Sequence, residues 1–411
     1  MRFAHLPHAQ KLFDLKSALA LPSHQLLERA GLVGFVDAGF AWWSPLGQRI
    51  MMLLQQTVRS HLEARGFLEV AGPLIASVST LEKGGWLAQF EDELMRLGSP
   101  TAEFAVPPTS EEPLLAYLAS CGSLSHRQLP LQVFEFRPIF RFRRRTEGLY
   151  QNREFGCCLI ATFDEGHDDF LRSSREVKNT LVSLWESLHL DVHVVTHDET
   201  GTFEALFDYE RGDRRLADTV VAKRGEDFQA GDLANRKWGG LAMGYRYDAV
   251  AQLGLQVADR ENALSAPFMG TFGMGMQRLL IAMVEQGRTP SGIVLPKEIR
   301  PFDCVVIHAG PLGERETSLA EDIYKQLQKA GAKVAWDDRP RATMAQRMEV
   351  ADFFGIPLRL VVGPSETDYD QVQVRFAHGQ RPVTLVVREE SWIARVEEFI
   401  REESDSLRAP R

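Results

Sequence analysis

Six arginines fall within 17 consecutive residues near the middle of the chain: Arg137, Arg141, Arg143, Arg144, Arg145 and Arg153. A guanidinium group is planar, stays charged and binds phosphate oxygens through two parallel hydrogen bonds. Because residues two apart on a strand share a face, we expect Arg141 and Arg143 to point into one groove. The segment therefore indicates either a phosphate-binding groove or a basic loop that is exposed to solvent.

A glycine-rich segment, Gly270-Thr271-Phe272-Gly273-Met274-Gly275, is followed closely by Arg278. Its glycines allow the backbone to approach a ligand, and the segment ends where a helix is predicted to begin. Arg278 would lie in the first turn of that helix, where the helix dipole already favours an anion. The pattern is neither the dinucleotide-binding fingerprint nor the phosphate-binding loop. It fits close packing as well as nucleotide binding.

Hydroxyl and carboxylate side chains are adjacent in Pro108-Thr109-Ser110-Glu111-Glu112. Such a pair can bind an ammonium or imino group through charge-assisted hydrogen bonds. The same residues also fit the start of a helix, with Thr109 as the N-cap and Glu112 three residues further on. Both interpretations can hold together.

Hydrophobic periodicity predicts the elements that must position these residues. Apolar side chains at steps of three and four predict helices over residues 46–62 and 168–189. Apolar runs around residues 131–136 and 154–163 predict two strands, with the arginine-rich loop between them. A proline-bracketed linker at residues 296–301 marks a boundary, beyond which strands and helices alternate as they do in α/β domains.

The composition is that of an ordinary globular chain. Of its 411 residues, 44% are hydrophobic and 25% are charged, and the net charge of −9 excludes a uniformly basic coat for nucleic acid. The four cysteines form no CxxC pair, so neither a disulfide framework nor a Cys-rich zinc site is indicated. No apolar run is long enough for a membrane span, and the first residues lack a signal-peptide pattern. We therefore expect a cytoplasmic protein with no membrane contact.

In their order and spacing, these segments resemble the motifs of class II aminoacyl-tRNA synthetases, and those of prolyl-tRNA synthetase in particular. Pro108–Glu112 is similar to the Pro-Thr-His/Ser-Glu-Glu of that family. The helix ending at Gly66 and the strand ending at Pro73 resemble motif 1. Phe140-Arg141 and Arg153-Glu154-Phe155 resemble motif 2, and Gly270–Gln286 resembles motif 3. Asp337-Asp338-Arg339 and Phe354–Gly363 resemble the family's C-terminal anticodon-binding domain.

The resemblance implies an α+β fold, in which residues 1–296 form an antiparallel catalytic sheet flanked by helices and residues 301–411 form an α/β anticodon-binding-like domain. It implies an adenylate-forming ligase that joins ATP and an amino acid, then passes the acyl group to tRNA or another acceptor. ATP, Mg²⁺ and a homodimer contacting through the motif 1 proline are implied with it, while the metal ligands stay unknown. The span between Phe155 and Gly270 is too short for the family's editing insertion, so no editing activity is expected.

The same resemblance assigns roles to individual residues. Arg141 and Arg278 are the expected catalytic arginines, which stabilise the charge that develops on the phosphates of ATP. The expected ATP-binding residues are Arg141, Arg153, Phe155, Gly273, Gly275 and Arg278. Thr109 and Glu111 are expected to bind the amino acid, which is proline or a related one.

Two departures from the family pattern leave a second function open. Motif 2 of the family reads Phe-Arg-x-Glu, whereas Arg143 stands here in the place of the glutamate and reverses its charge. The polar run that follows motif 2 in the family is replaced by the largely apolar Cys157–Phe163. The alternatives are therefore an active ATP-dependent ligase and a catalytically impaired paralogue that binds nucleic acid or regulates.

The C-terminal domain carries no overall basic charge. Residues 301–411 contain 15 basic and 19 acidic side chains, a net charge of −4. Any contact with RNA is therefore expected from a local patch, for which Arg339, Arg341 and Arg347 are the candidates.

Overall fold

The computed structural model describes residues 1–90, 93–98, 101, 103–142, 145–215, 236–309, 313–377 and 379–406. The chain forms two compact units. One consists of Phe35–Ala41 and Gln55–Gln286, and we call it the core unit. The other, the C-terminal unit, consists of Met1–Gly34, Trp42–Leu54 and Gly287–Arg411.

The helices are α1 (Ser23–Arg29), α2 (Pro45–Glu63), α3 (Val78–Gly84), α4 (Trp86–Phe90), α5 (Glu111–Ser120), α6 (His167–Ser187), α7 (Met276–Gln286), α8 (Glu314–Lys329), α9 (Met344–Phe353), α10 (Pro364–Asp368) and α11 (Trp392–Ser406). The strands are β1 (Val33–Asp37), β2 (Phe40–Trp43), β3 (Leu68–Glu69), β4 (Ala76–Ser77), β5 (Met95–Arg96), β6 (Phe104–Val106), β7 (Leu124–Ser125), β8 (Leu131–Phe140), β9 (Glu154–Asp164), β10 (His193–His197), β11 (Thr202–Asp208), β12 (Trp238–Tyr247), β13 (Val257–Ala258), β14 (Leu264–Ser265), β15 (Phe268–Gly275), β16 (Cys304–His308), β17 (Val334–Asp337), β18 (Leu358–Val362), β19 (Gln371–Phe376) and β20 (Val383–Val386).

A seven-stranded sheet forms the centre of the core unit, in the order β10-β11-β12-β15-β9-β8-β3. Its neighbouring strands are antiparallel except for the short β3, which runs parallel to β8. Helix α6 packs against β9 and β15. It buries Phe170, Val177, Leu181 and Leu184, the positions whose spacing predicts it. Each such side chain contributes about 1.5–3 kcal/mol when it is removed from water.

The local predictions around the candidate residues are confirmed. The strands predicted at residues 131–136 and 154–163 are β8 and β9, which pair along their whole length. The glycine-rich segment lies within β15, and α7 begins at the residue after Gly275, so Arg278 stands in its first turn. Strand β8 ends at Phe140, just before Arg141, and Arg143 and Arg144 lie outside the described residues.

The C-terminal unit contains a five-stranded sheet in the order β17-β16-β18-β19-β20. The first three strands are parallel and the last two are antiparallel, as the alternation of strands and helices after residue 301 predicts. Its core combines side chains from the sheet and from two helices, among them Ile323 and Leu327 of α8, Trp336, Leu360, and Val396 of α11.

The first residues of the chain pack in the C-terminal unit, whereas the sequence-based division assigned them to the first domain. The Met1 amino group donates to the carbonyl of Val334 at 3.0 Å. The backbone N–H of Ala4 donates to Oδ1 of Asp338 at 2.8 Å. These contacts join residues more than 300 positions apart, which local sequence patterns do not reveal.

Candidate active site

A cleft of about 350 Å³ opens on one face of the seven-stranded sheet in the core unit. Alternate residues of β9 and β15 face it, as expected when successive side chains point to opposite sides of a strand. Seven of the predicted site residues line this cleft: Thr109, Glu111, Arg141, Phe155, Gly273, Gly275 and Arg278. The order of the motifs along the chain therefore identified side chains that the fold brings together.

Arg141 enters the cleft directly after β8. Its backbone N–H donates to the carbonyl of Arg153 at 2.8 Å, which continues the pairing of β8 with β9. Its guanidinium lies 4.9 Å from the ring centroid of Phe90 and 5.7 Å from that of Phe155. The long 3.5 Å contact from Nη2 to the carbonyl of Pro108 is weak. Aromatic rings therefore orient this cation, and no carboxylate in the described residues forms an ion pair with it.

Arg278 lines the same cleft and is held more firmly. Its Nη1 donates to the carbonyl of Gly240 at 2.9 Å, and its Nη2 lies 3.0 Å from Oδ2 of Asp213. The face of its guanidinium lies 4.5 Å from the ring centroid of Tyr150. Burial acts to raise the pKa of Asp213, but Arg278, Tyr150 and Arg214 outweigh it and lower that pKa below its ordinary value. The carboxyl of Asp213 therefore stays ionised beside the arginine.

Polar atoms without partners mark another part of the cleft. Glu111, only 4% exposed, begins α5, and its Oε1 accepts a hydrogen bond of 2.6 Å from the Thr271 hydroxyl. Its Oε2 is buried without a hydrogen-bond partner among the described residues, and so is Oγ1 of Thr109. An orphaned buried acceptor costs about 1–3 kcal/mol, so a ligand that carries N–H groups would relieve a penalty here.

The N-cap interpretation of this segment is wrong for Thr109. Ser110 occupies the N-cap of α5, and its side chain makes no capping hydrogen bond. Thr109 lies one residue before the helix cap, where it lines the cleft. The alternative interpretation, that the Thr109 hydroxyl binds a ligand in the cleft, therefore remains.

Several lining residues were missed by the sequence analysis. Glu204 of β11, 2% exposed, forms an ion pair with Arg214 at 3.0 Å. A charged residue within the otherwise buried run Thr202–Phe207 was a usable signal, because such residues are seldom buried without a role. Asn152 is 3% exposed, and both of its amide atoms lack partners among the described residues. Asp213 and Arg214 lie after β11, and no local sequence pattern identifies them as residues of the cleft.

The floor and walls of the cleft are largely apolar between these charged groups. Leu159 and Met243 line it from β9 and β12, and Gly273 lies between them in the sheet. The Cys157 thiol is buried there, and burial raises its pKa to about 12. Cys157 therefore stays protonated at neutral pH and is not a nucleophile.

The other described arginines of the arginine-rich segment do not line the cleft. Arg153 donates from Nη1 to the carbonyl of Ala38 at 2.9 Å and lies over the ring of Phe142, so the structure does not support its expected contact with ATP. Arg137 is buried beside Glu135 at 3.4 Å, and Arg145 is exposed. The prediction that Arg141 and Arg143 share a groove lies partly outside the described residues.

The arginine patch expected in the C-terminal unit is not a surface patch. Arg339 is 1% exposed and donates to both carboxylate oxygens of Asp337 at 2.8 Å. Arg347 is 2% exposed and donates to the carbonyls of His308 and Arg339. The nucleic-acid-binding assignment is therefore wrong for these two side chains, because internal acceptors use their donors. Only Arg341 of the three is exposed.

Two further observations concern metal ions and membranes. Within the described residues, no cluster of three or more His, Cys, Asp or Glu side chains could hold a metal ion. None of the helices in that part of the chain is long and apolar enough to cross a bilayer.

Known protein families match most of the chain. Residues 96–287 match the tRNA synthetase class II core domain (G, H, P, S and T), and residues 303–397 match the anticodon binding domain. The chain therefore combines a class II tRNA synthetase core with an anticodon-binding domain, and the expected α+β fold class is confirmed.

Among class II synthetases, the chain resembles the prolyl-tRNA ligases. It is 26% identical to the proline–tRNA ligase of Sulfurimonas denitrificans, over 88% of this chain and 91% of that protein. It is also 26% identical to the Rhizorhabdus wittichii enzyme, over 91% of this chain and 95% of that protein. Prolyl-tRNA synthetase from Cryptosporidium parvum, complexed with L-proline and AMP, has a similar fold. The TM-score is 0.71 at 17% identity, and the alignment covers 98% of this chain and 81% of that one.

Proposed function

We propose that this protein is an ATP-dependent amino-acid-activating ligase, which forms an aminoacyl-adenylate and transfers the acyl group to tRNA. One observation carries the proposal: a single cleft combines the cationic side chains of Arg141 and Arg278 with the carboxylate of Glu111. Guanidinium groups suit phosphates, and a buried carboxylate suits an ammonium or imino group. The cleft thus offers sites for the two substrates of adenylation side by side.

The reaction explains why two separate arginines are needed. A carboxylate oxygen of the amino acid attacks the α-phosphorus of ATP, and the bond from that phosphorus to pyrophosphate breaks. Negative charge grows on the α-phosphate and on the leaving pyrophosphate, and Arg141 stabilises the α-phosphate. Arg278 binds the nucleotide at its pyrophosphate end or beside its adenine, and Phe155 stacks on the base. In the second step an acceptor hydroxyl attacks the acyl carbon, loses its proton and releases AMP.

The amino acid is proline or a small apolar relative. The unpartnered Oε2 of Glu111 and the Thr109 hydroxyl suit its nitrogen, and Leu159 and Met243 suit an apolar side chain. The relatives that carry the name proline–tRNA ligase support this choice, as does a structural neighbour complexed with L-proline and AMP.

When bound together with ATP, Mg²⁺ would neutralise part of the triphosphate charge. Glu204 and Asp213 are the carboxylates beside the cleft arginines, and each is already ion-paired. Mg²⁺ commonly keeps several waters and binds through one or two carboxylates together with substrate phosphates. Because both carboxylates are already engaged by arginines, the triphosphate and water would supply the ligands of the ion.

The acceptor and the assembly follow from the same family resemblance. The anticodon-binding domain supports tRNA as the acceptor of the acyl group. Because ATP and tRNA are both present in the cytoplasm, we expect the protein there. A homodimer is supported by the exposed apolar side chains around the motif 1 proline, namely Leu68, Leu74 and Ile75, which are 58%, 44% and 47% exposed.

Pyrophosphate exchange with each of the twenty amino acids tests the proposal. We expect ATP–pyrophosphate exchange with proline and acylation of tRNA by the same protein. Exchange with a different amino acid would revise the substrate, and exchange without tRNA acylation would point to another acyl acceptor. No exchange with any amino acid would overturn the ligase and favour the impaired paralogue.

Arg141→Lys provides the residue-level test. Because lysine keeps the charge but loses the planar fork, we expect kcat for exchange to fall roughly 10²–10³-fold. Arg145→Lys is the matched control, since Arg145 is exposed and does not line the cleft. Equal activities of the two variants would contradict the role given to Arg141.

A further inference from the structure

Three groups from three different parts of the core unit hold the guanidinium of Arg278. Asp213 binds one edge through Nη2, the carbonyl of Gly240 accepts from Nη1, and the ring of Tyr150 covers one face. A free arginine side chain loses rotamer entropy when it is fixed. Here that cost is met in the folded protein, before any nucleotide binds.

Asp213 is itself fixed by Tyr150. The Tyr150 hydroxyl donates to Oδ1 of Asp213 at 2.5 Å, and the backbone N–H of Asp213 donates to the same hydroxyl at 3.3 Å. Gln151 adds a longer contact to Oδ2 at 3.4 Å. Burial raises the pKa of Tyr150 well above its ordinary value, so its hydroxyl stays protonated and remains a donor. Tyr150 and Asp213 are thus joined by hydrogen bonds, and together they contact the guanidinium of Arg278 on one face and one edge.

We propose that Asp213 and Tyr150 are positioning residues, which hold Arg278 in the orientation that binds the nucleotide. This inference rests on the proposed function, because it assigns Arg278 to ATP. Asp213 and Tyr150 act through Arg278 and need no contact with substrate. Their effect is to set the guanidinium in place, so that binding energy from ATP is not spent on ordering it.

Substitution of either positioning residue should weaken the binding of ATP and leave the binding of the amino acid unchanged. Asp213→Asn removes the charge of the partner with little change in shape, and we expect the KM for ATP to rise about tenfold. The KM for the amino acid should stay within about twofold, because Glu111 and Thr109 do not contact Asp213. Tyr150→Phe keeps the stacked ring and should raise the KM for ATP less than Tyr150→Leu, which loses both ring and hydroxyl.

A double-mutant cycle separates positioning from a general structural role. If Asp213 acts through Arg278, Asp213→Asn should add nothing to the defect of Arg278→Ala. Asp248→Asn is the matched control, since Asp248 is exposed and pairs with Arg246 at 2.6 Å outside the cleft. The inference is overturned if Asp213→Asn leaves the KM for ATP unchanged, lowers it, or adds its full effect to that of Arg278→Ala.

Calorimetric titration with ATP distinguishes this inference from the proposed function. A wild-type protein that binds no ATP would overturn both. If the wild-type protein binds ATP and catalyses exchange while Asp213→Asn binds ATP equally well, only the positioning role fails. The expected result is weaker binding of ATP by the variant, whose thermal unfolding remains a single cooperative transition.

Discussion

The Thr271 hydroxyl donates a hydrogen bond of 2.6 Å to Oε1 of Glu111, although 160 positions separate the two residues in the chain. The bond joins the strand that leads to Arg278 with the start of α5, where we propose that the amino acid binds. It occupies one carboxylate oxygen and leaves the other without a partner among the described residues. Under the proposed function, Thr271 sets the direction in which Glu111 accepts a hydrogen bond from the nitrogen of the amino acid.

Thr271→Val should weaken binding of the amino acid. Valine has nearly the shape of threonine but no hydroxyl, so Glu111 would lose its orienting donor, and we expect the KM for the amino acid to rise about tenfold. Pyrophosphate exchange at saturating ATP measures this change. Thr271→Ser restores a hydroxyl and should recover most of the wild-type KM. A valine variant with an unchanged KM for the amino acid would argue against this role.

Gly273→Ala should impair catalysis without weakening the fold. A Cβ at this position would meet Leu159 Cδ2 at 3.5 Å and Cys157 Sγ at 3.8 Å, which are ordinary contacts, yet it would occupy the floor of the cleft. We expect the KM for ATP to rise several-fold. The free energy of unfolding should change by less than about 0.5 kcal/mol.

Gly244→Ala is the contrasting control for that substitution. Its Cβ would lie 2.2 Å from Cδ1 of Phe272, so the change should destabilise the core unit by about 1–3 kcal/mol. Urea unfolding of both variants measures the difference. Equal stabilities would contradict the distinction between a glycine that gives space to a ligand and one that gives space to a ring.

Arg339→Ala should destabilise the C-terminal unit, because the substitution leaves the buried Asp337 carboxylate without its partner. Removing one member of a buried ion pair costs about 3–5 kcal/mol, and Arg339 also donates to the carbonyl of Leu12 at 2.8 Å. Thermal unfolding of the full chain measures the loss. Arg341→Ala, at an exposed position two residues away, should leave the unfolding midpoint unchanged. A soluble Arg339→Ala variant with wild-type stability would contradict the buried role.

His308 should make the stability of the C-terminal unit depend on pH. Burial, aided by the nearby Arg347 and opposed by Asp338 and Asp337, lowers the pKa of His308 to about 4. Between this value and the ordinary pKa of about 6.5, the unfolded chain binds a proton that the folded chain does not. The contribution to stability is therefore complete above about pH 6.5 and is lost as the pH falls toward 4.

The expected loss from His308 is about 2 kcal/mol between pH 7 and pH 5. Urea unfolding at the two pH values measures it in the wild-type protein. His308→Gln cannot gain the proton, so its free energy of unfolding should fall by about 2 kcal/mol less over the same range. Parallel pH dependence in the two proteins would show that other groups are responsible.

Helices α2 and α6, the main strands and the start of α7 follow from the sequence because they depend on local patterns. Apolar side chains every three or four residues bury one face of α2 and α6, and the glycine-rich β15 ends where α7 begins. The approach of Arg141, Glu111 and Arg278 to one cleft also followed, but only through the resemblance of their motifs to those of a known family. Periodicity alone does not bring residues 111, 141 and 278 together.

Tertiary structure alone decided which charged side chains are free for a ligand. Arg141 and Arg339 are the same residue type, yet one faces a cleft and the other is buried against Asp337. The partners Asp213 and Tyr150 of Arg278 are 65 and 128 positions away, and no local pattern marks them. Hydrophobic periodicity is a property of neighbouring residues, whereas pairing of buried charges depends on which distant segments the fold brings within hydrogen-bonding distance.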